Sequence, residues 1–322
     1  MALPMFKKRQ AGGPVGLDLD CSFLAAAAVS DGRIARAAST ELPPGIVSDG
    51  EVADPSALSA ALKEFFARAG LPKAVRLGVS NQQIVVRQLE LPPIEDEREQ
   101  AAAVRFQAAE TIAMPLDEAV LDYQAVGETV TLEGAKRIRY VVAAAREAMI
   151  ARLVEGVRGA GLRPLGVDLN AFALVRALGP AQAANGADPA PGLDETARVY
   201  CHLGGITNLA VAVGSSCLFT RPLSFDAALP EDVELDVASF AEEIRLSIDF
   251  YMSQPDARWV SEVVLSGPGA RRPGIADQLT GPLALPVVAV EPLGRLDAAG
   301  LPPGEDPYRY TVAVGLALGE DR

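Results

Sequence analysis

The chain has 322 residues, enough for two domains that each bury a core of their own. Its 29 Lys and Arg against 42 Asp and Glu leave a net charge of −13, and such a surface repels a phosphate backbone, which excludes nucleic acid as a partner. One histidine and three cysteines exclude a His-rich metal site, and no apolar run reaches the roughly 18 residues that a membrane span requires.

The first residues lack the apolar stretch of a secretory signal, so the expected location is the cytosol. Cys21, Cys201 and Cys217 fall in apolar, strand-like stretches, and their odd number leaves at least one without an intramolecular partner; they read as reduced core residues. The basic cluster Lys7-Lys8-Arg9 reads as part of a solvated tail over 1–13, in preference to a weak contact with an anionic membrane.

In chain order, Val15 to Val29 predicts a β-hairpin whose polar turn is Asp18-Leu-Asp20-Cys-Ser22, followed by a turn at Asp31-Gly32. Leu58, Leu62, Phe65 and Phe66 recur at helical spacing between 57 and 68, and a strand follows over 74–79. A second helix is expected over 97–112, stopped by Met114-Pro115 because proline lacks the donor that a helix interior needs. Strands over 121–126 and 138–144 lead to a helix with Met149, Ile150, Leu153, Val154 and Val157 on one face, then a short strand over 165–167. Asp168 is expected to cap a fourth helix through Phe172, Leu174 and Val175. An Ala-, Pro- and Gly-rich stretch over 181–196 reads as a loose linker. Beyond it a second hairpin over 198–219 turns at His202 to Asn208, and an amphipathic helix carries Val237, Phe240, Ile244, Ile248 and Tyr251. A strand over 263–265 enters Ser266-Gly-Pro-Gly269, and a last apolar helix covers 310–318. Both halves open with a hairpin, which hints at duplicated α/β domains around a cleft.

The two hairpin turns and the Gly-x-Gly strand end are candidates for phosphate contacts, because glycine lets backbone N–H groups approach an anion closely. Each turn alone is more often a structural feature than a site. Their order along the chain carries more weight, together with a longer stretch: Val104-Arg-Phe-Gln-Ala-Ala-Glu-Thr-Ile112, continuing through Met114-Pro115 to Leu121-Asp-Tyr-Gln124. With Val15-Gly-Leu-Asp18, Gly161-Leu-Arg-Pro-Leu-Gly-Val-Asp168, Glu243 to Tyr251, Leu265-Ser-Gly-Pro-Gly-Ala270 and Pro273-Gly-Ile275, this stretch resembles the PilM branch of the actin-like proteins, colinearly over most of the chain.

The resemblance implies an α/β, actin-like, ribonuclease H-like duplicated fold of two lobes with an inserted 1C subdomain. Its subdomains would be 1A over 14–81 and 164–180, 1C over 82–163, 2A over 197–225 and 263–322, and a reduced 2B over 226–262. It implies a cofactor site for ATP and magnesium at Asp18, Asp20, Cys21, Ser22, Gly204, Gly205, Thr207, Gly267 and Gly269, with Asp18 as the metal residue. It also implies a partner: the short cytoplasmic amino-terminal segment of a PilN-like inner-membrane protein, met by the 1C signature at Arg105, Phe106 and Ile112. The protein would then sit peripherally at the inner face of the membrane.

Several positions depart from the family pattern. Asp20 stands where glycine is expected, Ala25 where a lysine is, and His202 where an aspartate is, and the second turn, Gly204-Gly-Ile-Thr-Asn208, is about one residue short. A second carboxylate repels phosphates, and a neutral imidazole is a poor magnesium ligand. The expected function is accordingly a scaffold of pilus assembly with a degenerate nucleotide site, and not an enzyme. The alternatives are a weakly hydrolysing actin-like ATPase of the same machinery and a degenerate kinase relative. A Cys21–His202 nucleophile pair is the outlying third chemistry, with no orienting group to support it.

Overall fold

The computed structural model describes residues 13–131, 133–179, 196–223, 225, 235–254, 257–294 and 296–319. The basic cluster and almost all of the predicted linker lie outside the described residues.

In the first lobe β1 (Val15–Leu19), β2 (Phe23–Ser30) and β3 (Arg33–Glu41) form an antiparallel meander, followed by the two-residue strands β4 (Val47–Ser48) and β5 (Glu51–Val52). Helix α1 (Pro55–Ala69) follows and leads to β6 (Ala74–Val79). Local chemistry sets its ends: the Asp54 carboxylate accepts from the N–H groups of Ser56 and Ala57, Pro55 occupies the first turn, and Gly70 closes the helix. Its buried face is Leu58, Leu62, Phe65 and Phe66, the set that the periodicity predicts.

An insertion follows, of β7 (Val85–Leu91), α2 (Glu97–Thr111), β8 (Ala119–Val130) and β9 (Lys136–Arg146). Its strands make a separate sheet in the order β7-β9-β8, and α2 packs over it with a core that includes Val104, Ala108, Ile112, Tyr140 and Val142. The chain returns through α3 (Glu147–Gly159), β10 (Arg163–Leu169) and α4 (Asn170–Leu178). Asp168 is not the cap of α4. It is still in the strand, and its carboxylate accepts from the Leu169 N–H and pairs with Arg176.

The second lobe runs β11 (Ala197–His202), β12 (Thr207–Val213), β13 (Ser216–Leu223), α5 (Val237–Met252), β14 (Val260–Ser266), α6 (Ile275–Leu283), β15 (Val287–Ala289) and α7 (Thr311–Ala317). Its sheet order, β13-β12-β11-β14-β15, matches β3-β2-β1-β6-β10 of the first. In both sheets three antiparallel strands are followed by two parallel ones, so the duplication suggested by the paired hairpins is complete at the level of topology.

This correspondence corrects two expected boundaries. Helix α3 precedes β10 as α6 precedes β15, and its Leu153 and Val157 belong to the same core as Leu58 and Leu62 of α1. The insertion therefore ends with β9, not at 163. Helix α5 is the counterpart of α1, with Phe240, Ala241, Ile244 and Tyr251 in the core of the second sheet, so it belongs to that lobe's body and not to a separate reduced subdomain.

The last helix of each half packs between the sheets. One side of α7 closes on the first sheet through Ala313, Val314 and Ala317, against Phe23, Ala25 and Ala27 of β2. Its Val312 and Leu316 join α4, Tyr200, Ala210 and Val264 in a core against the second sheet. A Cβ on Gly315 would fall onto the carbonyl of Ala173, and one on Gly16 onto that of Ala313; the close α4–α7–β1 stack requires glycine at both places.

Candidate functional site

The matched topology places the two hairpin turns face to face where β1 and β11 end. Asp18 is the fourth residue of β1 and is buried; Asp20, Cys21 and Ser22 form the turn into β2. Opposite them, Gly204 and Gly205 form the turn between β11 and β12, and Thr207 opens β12. The backbone thus brings seven of the nine predicted cofactor residues into one cleft.

Asp20 decides its geometry. The Gly205 N–H is 2.9 Å from Oδ2 and 3.1 Å from Oδ1 of Asp20, while the Ser22 N–H at 3.1 Å and its hydroxyl at 3.2 Å hold Oδ1 from the same turn. The carboxylate is 5 % exposed and sits where a side chain on Gly204 or Gly205 would collide with it. Burial raises its pKa, and the N–H groups of Ser22, Gly205 and Ile206 pull it back down by hydrogen bonding to the anion.

Asp18 lies deeper. Burial first, and the Asp20 carboxylate second, push its carboxyl well above the usual range, opposed by a long 3.5 Å hydrogen bond from Asn170 Nδ2. Its Oδ2 has no hydrogen-bond partner, nor has Oδ1 of Asn170. Thr207 is fully buried with its hydroxyl unpartnered.

His202 ends β11 beneath the Gly204 turn. It is 1 % exposed, neither ring nitrogen is hydrogen-bonded, and burial lowers its pKa to about 4, so it is neutral near pH 7. No hydrogen bond joins it to Cys21, whose thiol burial and the nearby carboxylates push up. The pair therefore lacks the contact by which an imidazole activates a thiol. Cys21 is also half-buried in a turn, not a core strand residue as expected, whereas Cys201 and Cys217 are buried in strands; all three are free.

Gly267 and Gly269 buttress the second turn from behind. Gly269 donates to the Leu203 carbonyl at 2.9 Å, and a Cβ on Gly267 would lie 2.7 Å from that carbonyl and 2.9 Å from Nδ1 of His202. The absence of a side chain at Gly267 serves backbone packing in the second lobe.

The contacts that sequence reading missed are polar ties between lobes. The Ser80 hydroxyl, just past β6, donates to Oδ1 of Asn208 on β12, and Gln88 on β7 donates to the Leu218 carbonyl on β13 at 3.2 Å. Neither belongs to a motif; the only available signal was a polar pair, Ser80-Asn81, directly after a buried strand.

The three predicted partner residues do not share one surface. Phe106 is 72 % exposed on α2, beside an open groove also lined by Leu91 and Ala103. Arg105 donates to the Leu116 carbonyl at 2.6 Å, bracing the loop after α2. Ile112 is 4 % exposed, in the core between α2 and its sheet, and offers nothing to a partner. Among the described residues no helix is long and apolar enough to cross a membrane.

Comparison with known proteins agrees with this architecture. A solved structure described as a PilM–PilN type IV pilus biogenesis complex is 26% identical, with a TM-score of 0.78, covering 95% of this chain and 98% of that one. At 13% identity and a TM-score of 0.51, the ethanolamine utilization protein EutJ from Carboxydothermus hydrogenoformans shares the fold over 99% of this chain and 90% of its own. The cytoplasmic domain of EpsL, an inner-membrane component of the type II secretion system of Vibrio cholerae, does so at 12% identity and a TM-score of 0.50, over 95% and 96%. The family described as type IV pilus assembly protein PilM matches residues 16–227, well over half of the sequence, and the chain belongs to that family.

Proposed function

We propose that this protein is a scaffold of type IV pilus assembly that holds the amino-terminal cytoplasmic segment of a PilN-like inner-membrane protein and does not turn over ATP. The observation that carries the non-enzymatic part is the Asp20 carboxylate seated on the Gly205 N–H. In an actin-like cleft the phosphates of a nucleotide would lie between these turns, where the donor they would use already serves a carboxylate. A second buried carboxyl, Asp18, whose charged form burial and Asp20 both disfavour, adds no cation to balance phosphates. Ala25 is buried against α7, so no cation stands at that position.

Magnesium is no better served. Its usual partners are carboxylate and water oxygens, and the residue that ends β11 at the foot of the second turn is a neutral imidazole. The residues present do not fit a magnesium nucleotide.

Partner capture rests on the similarity to the PilM–PilN complex over nearly the whole of both chains. The exposed Phe106 on the inserted subdomain gives a bound segment an apolar contact. Binding such a segment places the protein at the inner face of the membrane and fixes the geometry of the assembly through surface contact.

Two measurements test the reading. Immobilised peptide from the cytoplasmic start of a PilN-like membrane protein is expected to retain the purified chain, and failure to do so removes the partner. Titration with labelled ATP and magnesium is expected to show no saturation at micromolar nucleotide. Saturation with steady phosphate release would establish the ATPase alternative.

A further inference from the structure

We propose that Asp20 is a built-in ligand that clasps the two lobes, occupying an oxyanion site formed by the Gly204-Gly205 turn so that closure is set by the chain itself. This rests on the reading of the cleft as non-catalytic, and adds to it what holds the cleft shut.

The contact spans 185 positions of sequence and joins a turn of the first sheet to a turn of the second. A carboxylate offers two oxygens with the spacing and charge of one edge of a phosphate, and hydrogen bonds from neutral N–H groups to an anion are stronger than those to a neutral acceptor. Both oxygens of Asp20 face the Gly205 N–H, and Ser22 fixes the carboxylate from its own side through two donors, so the group is oriented before the lobes meet. The receiving turn is shaped for an anion that approaches its backbone, since a side chain at either glycine would meet the Asp20 oxygens.

The clasp has flanking supports of a different kind. Ser80–Asn208 and Gln88–Leu218 also join the lobes, but they are neutral hydrogen bonds, and neither fills a site suited to a soluble ligand. Asp20 is the joint whose partner a free oxyanion would compete for. In a relative with no side chain at this position, closure would require a ligand; here the ligand is covalently attached, so its binding is intramolecular and needs no solute.

The test compares the full-length chain with Asp20→Gly and Asp20→Asn, using inorganic pyrophosphate as the probe. Spin labels introduced as non-canonical amino acids at the exposed positions Glu64 on α1 and Thr280 on α6 report the distance between lobes. The wild-type distribution is expected to be narrow and unmoved by millimolar pyrophosphate. Asp20→Gly is expected to broaden it towards longer distances, to bind pyrophosphate at least tenfold more tightly than wild type, and to narrow again when the probe is added. A distribution in Asp20→Gly that matches wild type, with no gain in pyrophosphate affinity, overturns the proposal.

If Asp20→Gly does not fold, Asp20→Asn keeps the shape of the side chain and loses the charge and one acceptor. Hydrogen exchange at the Gly205 amide is then expected to rise several-fold, and unchanged exchange overturns the clasp. Wild-type ATP hydrolysis alongside an opened Asp20→Gly would leave the clasp standing and sink only the non-enzymatic reading.

Discussion

Arg176 on α4 donates from Nε to the carbonyl of Gly315 on α7 at 2.9 Å, tying the helix that ends the first half of the chain to the helix that ends the second. The two halves exchange their closing helices across the middle of the molecule. The angle between lobes is therefore set by a packed helix pair as well as by contacts at the cleft.

That packing predicts the behaviour of Gly315. A methyl group there would overlap the Ala173 carbonyl, and backbone atoms on both sides have no rotamer to escape into. Gly315→Ala is expected to cost about 3 kcal/mol, at the upper end of the usual cost of overpacking. Urea denaturation followed by far-UV circular dichroism measures it, and an unchanged midpoint would show that the helices are not this close.

The single histidine makes a pH prediction simple to read. Burial holds His202 neutral with a pKa of about 4 in the folded chain, against about 6.5 when unfolded, so the unfolded state binds more protons between those values. Its contribution to stability is complete above pH 6.5 and is lost as pH falls towards 4, by about 3 kcal/mol in all. The raised acids Asp18 and Asp20 act with the opposite sign, gaining stability as pH falls. The difference in unfolding free energy between wild type and His202→Asn isolates the histidine. In the native protein its ring proton resonance should stay fixed from pH 8 to pH 5, and a midpoint near 6.5 would mean that the ring is solvated.

The three thiols should separate by burial. Cys201 and Cys217 are pushed up to about 12 and are enclosed by their strands, whereas Cys21 is half-buried in a turn. Maleimide at pH 8 is expected to add once, at Cys21 and slowly, with the other two reacting only in denaturant. Mass spectrometry of the labelled chain counts the additions, and more than one under native conditions contradicts the packing of the second sheet.

Two residues only six apart on the signature segment should behave differently. Ile112→Ala opens a cavity between α2 and its sheet and is expected to cost about 3 kcal/mol of stability. Phe106→Asp changes an exposed ring, so the unfolding midpoint should stay within about 0.5 kcal/mol of wild type while peptide retention falls. Retention lost through Ile112→Ala at a temperature where that variant is fully folded, with Phe106→Asp silent, would move the contact away from Phe106.

Most of the elements were legible in the residues because each has a local cause. Apolar periodicity marked α1, α3 and α5, and the paired apolar strands around polar turns marked both opening hairpins. What was missed had weak local signals: α6 carries Pro282 in its last turn, β15 is three residues long, and β7 alternates so unevenly that it reads as loop. Asp168 looked like a helix cap because Asp before an apolar helix usually is one; the strand runs on for one more residue, and Arg176 claims the carboxylate.

By its sequence alone the chain settled its class and the residue types at the two facing turns, and hinted at its duplicated plan, because strand alternation, helix spacing and turn chemistry act over a few neighbouring residues. Only the tertiary structure could decide what those turns do to each other. That Asp20 reaches Gly205 depends on two sheets, folded from distant segments, meeting at a fixed angle with α4 and α7 packed between them, and such long-range geometry is encoded in no short stretch of residues.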